Sequence, residues 1–161
     1  MMILESCFDI LTKLVPKAEI FKKMLKEEEV IYLVLRTFKT FKKIYMKGNK
    51  ALESILISVS SFLSEIALHR QGRSLLAKTH YFETIVEIIS QAKKVALDEK
   101  LEIILCKSVY LMLVGRSERQ KAKEIRLKDI LLERMLTNKT EGYETIVGYI
   151  IERVEQEGEF S

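Results

Sequence analysis

Between positions 50 and 68 the apolar residues Leu52, Ile55, Leu56, Val59, Phe62, Leu63 and Ile66 fall at steps of three and four. That spacing gathers side chains on one face of an α-helix. A second face of the same segment carries Ser54, Ser58, Ser61 and Glu65, again at steps of four, three and four. A turn containing Gly72 follows, then a short helix over 73–78 and a longer one over 81–93, with Phe82, Ile85, Val86 and Ile89 at helical spacing. The same succession occurs on either side. Before it, the pattern predicts a helix over 3–15 that stops at Pro16, whose ring a helix interior does not accommodate, then helices over 18–25 and 27–46 up to the Gly48–Asn49 break. After it come a helix over 98–114 ending at Gly115, the basic segment 116–126, a helix over 127–136, a break over 138–142 and a last helix over 143–155.

These elements recur. LTKLV at Leu11, LSEIA at Leu63 and LMLVG at Leu111 share a leucine, two free positions, an aliphatic residue and a small or aliphatic one; Ile151 marks a fourth place. The offsets are 52, 48 and 40 residues, and ILESCF at Ile3 resembles ALESIL at Ala51. A period of this size built from three helices predicts a helical repeat array, because one such unit cannot bury its apolar face alone and must share a core with its neighbours. The expected units are 1–49, 50–97 and 98–140, with a terminal helix over 141–157, all within one domain spanning 1–161.

The stretch LSEIALHRQGRSLLAKTHYFETIVEIIS, residues 63–90, resembles the junction between two units of the armadillo repeat family: the third helix of one repeat, a glycine-bearing turn, and the first two helices of the next. The resemblance implies an all-α, right-handed α-α superhelix, an armadillo/HEAT-like solenoid of about three repeats. It also implies a groove lined by the third helices, where a partner's peptide or helix docks, and a non-catalytic scaffold. Carried over with the offsets above, the groove positions are Ser6, Asp9 and Lys13, then Ser54, Ser58, Ser61 and Glu65, then Glu102, Cys106, Val109 and Leu113, then Ile146, Tyr149 and Arg153. Small serines let a partner backbone approach and offer hydroxyls. Val109, Leu113 and Ile146 fit a groove or burial between units equally well. One departure narrows the partner: where armadillo proteins that carry nuclear cargo place an asparagine ladder, this chain has Lys13, Glu65, Leu113 and Arg153, and it has no tryptophan. Recognition of basic transport signals is therefore not expected. A protein or peptide partner, acidic in character, or a second copy of the chain fits better.

Composition changes the picture only at the margins. Apolar residues at 48% supply a core, and one proline and six glycines in 161 residues are too few breakers for an all-β fold. Cys7 and Cys106 are far apart and sit in apolar patterns, which predicts two small buried hydrophobes in a reducing, intracellular compartment, cytoplasmic or nuclear. The apolar run Val109–Val114 reaches only six residues, far short of the roughly 20 that span a bilayer. The apolar start MMIL, without a polar cap, suggests a fragment of a longer protein or an end covered by a partner.

Charge offers a second functional class. RTFKTFKKIYMKGNK, residues 36–50, has no acid, and Arg36, Lys39, Lys43 and Lys47 make one stripe on the second long helix, with Phe38, Phe41 and Tyr45 interleaved. Such a stripe suits phosphates of nucleic acid or an anionic membrane. No nucleic-acid-binding motif accompanies it, so nucleic acid is the weaker expectation and a solvated face the plainest one. His69, Arg70 and Arg73 could cradle an anion beside a helix start or simply form a turn between units. Two histidines and two cysteines, all widely spaced, do not make a zinc set, and no phosphate loop, nucleophile elbow or dinucleotide fingerprint is present. The chain is expected to be neither an enzyme nor a cofactor carrier.

Overall fold

The computed structural model describes residues 2–14 and 17–157. Every regular element among them is helical: α1 (Met2–Leu14), α2 (Ala18–Lys26), α3 (Glu28–Tyr45), a 3-10 turn (Lys50–Leu52), α4 (Glu53–Ala67), α5 (Arg70–Lys78), α6 (Tyr81–Ser90), α7 (Ala92–Val95), α8 (Glu99–Met112), α9 (Arg116–Glu124), α10 (Leu127–Met135) and α11 (Tyr143–Glu155). The stop expected at Pro16 lies outside the described residues.

Two boundaries differ from expectation for physical reasons. Helix α5 starts at Arg70, so Gly72 lies within its first turn and is buried. A β-carbon there would overlap the Ile66 carbonyl oxygen, so the glycine lets α5 approach α4 closely. The helix expected over 81–93 breaks at Gln91 into α6 and α7, and α7 closes on Ala96 in the left-handed region (φ 49°). Asp98 then caps α8, accepting from the Leu101 N–H at 2.9 Å.

The most extensive helix contacts link α4 to α8, α1 to α4 and α8 to α11, with α3 against α4 and α6 against α8. Helix α4 is buried along Ile55, Leu56, Val59, Ser60, Phe62, Leu63, Ile66 and Ala67, more than one stripe of its surface. It has to be, because helices cover it on opposite sides. One apolar core runs from Phe8 to Val154 without interruption.

Junctions repeat in detail. The Arg73 guanidinium donates to the Ala67 and Leu68 carbonyls at 2.9 and 3.0 Å, and Arg119, 46 residues on, donates to the Leu113 and Val114 carbonyls at 2.9 and 2.8 Å. Each arginine satisfies carbonyls that the end of the preceding long helix leaves without an intrahelical partner. His80 and Arg126, also 46 apart, both precede a helix in the left-handed region (φ 57° and 56°). Ala96 and Gly142, again 46 apart, do the same ahead of α8 and α11. The starts of α4 and α8 are joined differently. There Lys50 Nζ donates to the Val95 and Ala96 carbonyls and to the Tyr45 hydroxyl, which itself donates to Glu53 at 2.8 Å.

The cysteines divide. Cys106 is buried, and burial, with the Glu102 carboxylate beside it, pushes its thiol well above the ordinary range, so it is no nucleophile. Cys7 is exposed, contrary to the expectation of two buried thiols, because only one side of α1 meets α4.

Truncation of Leu63 or Phe62 to alanine is expected to destabilise the fold by about 2–5 kcal/mol in chemical denaturation, since both are fully buried. A glycine pair tests the close approach. Gly72→Ala should lower the melting temperature. Gly148→Ala, in the exposed middle of α11 with open space around it, should raise stability by about 0.5–1 kcal/mol.

Candidate functional site: the accessible row of the long helices

The recurrent arginine clamp fixes which positions of α4 and α8 correspond. At 46 residues, all eight buried positions of α4 fall on buried positions of α8 or its cap: Ile55 on Leu101, Leu56 on Glu102, Val59 on Leu105, Ser60 on Cys106, Phe62 on Ser108, Leu63 on Val109, Ile66 on Met112 and Ala67 on Leu113. The offset of 48 inferred from LSEIA and LMLVG is two residues too long. Two residues turn a helix by about 200°, enough to exchange its outer face for its inner one.

That error accounts for four corrections. Glu102, Cys106, Val109 and Leu113, expected on the groove, are fully buried and present nothing to a partner. Val109 and Leu113 are core. Glu102 is a buried carboxylate held by four donors: Arg134 Nε and Nη2 at 2.8 and 2.7 Å, the Tyr143 hydroxyl at 2.7 Å and Asn138 Nδ2 at 3.2 Å. A buried charge survives only when paired and hydrogen-bonded, and here the bonds draw α8, α10 and α11 together. They hold the Arg134 guanidinium above its ordinary pKa, with the Glu102 hydrogen bonds the main cause. A lone glutamate letter inside an apolar helix pattern, with Arg134 and Tyr143 at helix ends thirty to forty residues on, was the available signal.

In the corrected register, Ser54, Ser58, Ser61 and Glu65 correspond to Lys100, Ile104, Lys107 and Leu111. All eight are exposed or half-buried. The Ser61 hydroxyl donates back to the Ile57 carbonyl at 2.9 Å, so it is small and locally satisfied. On α11 the same step reaches Ile146, Ile150 and Arg153; Ile150 is fully buried, so the accessible row does not continue at that position, and Tyr149 is its exposed neighbour. Tyr149 is 53% exposed. The Arg153 guanidinium lies 3.7 Å from the centre of the Tyr110 ring and donates to the Tyr110 carbonyl and hydroxyl at 3.0 and 2.7 Å, while Tyr149 packs against Tyr110 with ring centres 6.1 Å apart.

On α1 the least exposed side chains Glu5, Phe8, Leu11 and Thr12 align with Leu56, Val59, Phe62 and Leu63 at 51 residues. The positions matching Ser54, Ser58 and Ser61 are then Ile3, Cys7 and Ile10, all exposed. Ser6, Asp9 and Lys13, the expected row, are exposed too but lie one residue around the helix.

The turn over 69–73 is structural. Arg73 spends its donors on α4 carbonyls, and His69 stacks on Phe21 with ring centres 3.8 Å apart. Burial, then the positive charges of Arg153 and Arg70, lower the Arg73 pKa from its ordinary value. In the basic stripe, Arg36, Lys39, Lys43 and Lys47 are all exposed, but Lys39 Nζ is tied to the Thr79 carbonyl at 2.7 Å. Phe38 and Tyr45, interleaved with the stripe in sequence, are buried. Among the described residues no group of three His, Cys, Asp or Glu side chains is placed to hold a metal ion, and no helix is long and apolar enough to cross a membrane. No family model, curated protein or solved structure matches the chain.

Arg134→Met leaves Glu102 charged and buried with only two donors, and is expected to destabilise by about 3–5 kcal/mol in urea titration. Adding Glu102→Leu, which copies Leu56 of the preceding unit, should return part of that loss.

Proposed function

We propose that the chain is a non-catalytic docking module. In this reading it is an armadillo-like, right-handed α-solenoid of about three units, whose equivalent helices α1, α4, α8 and α11 present one accessible row to a peptide or helix of a protein partner. The observation that supports it most is that all eight buried positions of α4 fall, 46 residues on, on buried positions of α8 or its cap, while Ser54, Ser58, Ser61 and Glu65 fall on accessible ones.

The row changes character along its length. It begins apolar at Ile3, Cys7 and Ile10, turns small and hydroxylated at Ser54, Ser58 and Ser61, and ends cationic and aromatic at Lys107, Tyr149 and Arg153. A partner segment with apolar side chains at one end and acidic ones at the other complements it. The serines allow close approach of its backbone, and the exposed Lys107 offers a cation to an acidic side chain.

Panning the full chain against a display library of random peptides tests this. Enriched sequences are expected to combine aliphatic residues with Asp or Glu. Their affinity should fall at least about tenfold on Ser58→Arg, Ser61→Arg or Lys107→Glu, with no change in melting temperature. Enriched peptides that bind these variants as tightly as the parent chain would remove the row as the docking site.

A further inference from the structure

The excess positive charge of this chain is not spread evenly. Residues 1–50 hold eleven Lys and Arg against six Asp and Glu, while the remainder is close to neutral, with sixteen against seventeen. The outward face of α3 concentrates it. Arg36, Lys43 and Lys47 are exposed and, among the described residues, make no ion pair, whereas Lys42, on the helix flank, pairs with Glu87.

Apolar side chains share that face. Tyr32, Leu33 and Ile44 are exposed, Leu33 by 64%. Leu33 and Ile44 are eleven residues apart, as are Tyr32 and Lys43, and Arg36 and Lys47. Eleven residues make about three helical turns, so Leu33 with Ile44 and Tyr32 with Lys43 each lie along one line of α3, and Lys47 follows in the turn just past its end. The inward face, with Ile31, Val34, Leu35, Phe38 and Tyr45, is already committed to the core. The outer face therefore has a cationic strip edged by an aliphatic line, over most of a helix of 18 residues.

We propose that this face of α3 rests on an anionic lipid surface, with Arg36, Lys43 and Lys47 among the headgroups and Leu33 and Ile44 reaching the acyl boundary. Charge complementarity selects an anionic surface, and the aliphatic line selects lipid over nucleic acid. A nucleic-acid strand calls for exposed ring faces on which bases stack, but Phe38 and Tyr45 are buried and only Tyr32 is offered. Glu28 and Glu29 sit at the first turn, so contact centres on the C-terminal two-thirds of the helix. This face is distinct from the row on α1, α4, α8 and α11, so lipid and peptide could be held together.

Co-sedimentation of the full chain with large vesicles tests the proposal, using phosphatidylcholine alone and phosphatidylcholine with phosphatidylserine. Binding is expected only with the anionic lipid and should weaken with salt. It should fall by at least about tenfold in the triple variant Arg36→Glu, Lys43→Glu, Lys47→Glu. Leu33→Ser with Ile44→Ser should also reduce it, with circular dichroism unchanged, since both side chains are exposed. Equal binding to both vesicle types, or anionic binding untouched by the triple variant, overturns it. So does tighter binding to mixed-sequence oligonucleotides or polyglutamate that the serine pair leaves unaltered.

Discussion

Helix α4 cannot be a surface helix. Its buried residues, from Ile55 to Ala67, wrap around more of the cylinder than one packing partner can cover, and α1 and α8 take the two sides. Everything else follows from that demand. A helix with two apolar sides needs a neighbour on each, and a neighbour of the same kind, α8, repeats the demand one step on. Helix α11 buries Tyr143, Val147, Ile150 and Val154 and turns polar residues such as Glu144 and Glu152 outward.

The buried carboxylate of α8 sharpens this arrangement without being its main source of stability. Replacing an ion pair by well-packed apolar residues is often neutral or favourable, and the corresponding position in α4 is Leu56. What Glu102 adds is specificity. Its two oxygens accept from Arg134 in a fork, and Tyr143 and Asn138 supply the remaining donors, so α10, the loop after it and α11 meet α8 in one arrangement. A purely apolar contact would tolerate sliding.

Helix positions were legible because the apolar spacing is regular and breakers are few. The last helix, 143–155, agrees with its expected limits. The accessible face was less legible. LSEIA and LMLVG align by letter, yet the physical equivalence is set by Arg73 and Arg119, which clamp carbonyls from across a turn. Backbone carbonyls leave no mark in a sequence, and a shift of two positions carries Ser61 onto Val109 instead of Lys107. The all-helical fold survived that slip, because a helix stays a helix in any register. The site did not, because a site depends on which way each side chain points. Gly72 was hidden for a similar reason: it reads as a turn residue, and its role is to let two helices touch.

Helices α1 and α11 are held unequally. Among the described side chains of α1 only Phe8 is deeply buried, while α11 is held by Tyr143 and by Arg153 braced on Tyr110. Local opening begins where the fewest buried groups must leave. Solvent exchange of backbone amides would then spread inward from α1, with α4 and α8 the last to yield, and any ligand bridging α1 to α4 would slow the whole sequence by guarding its first step.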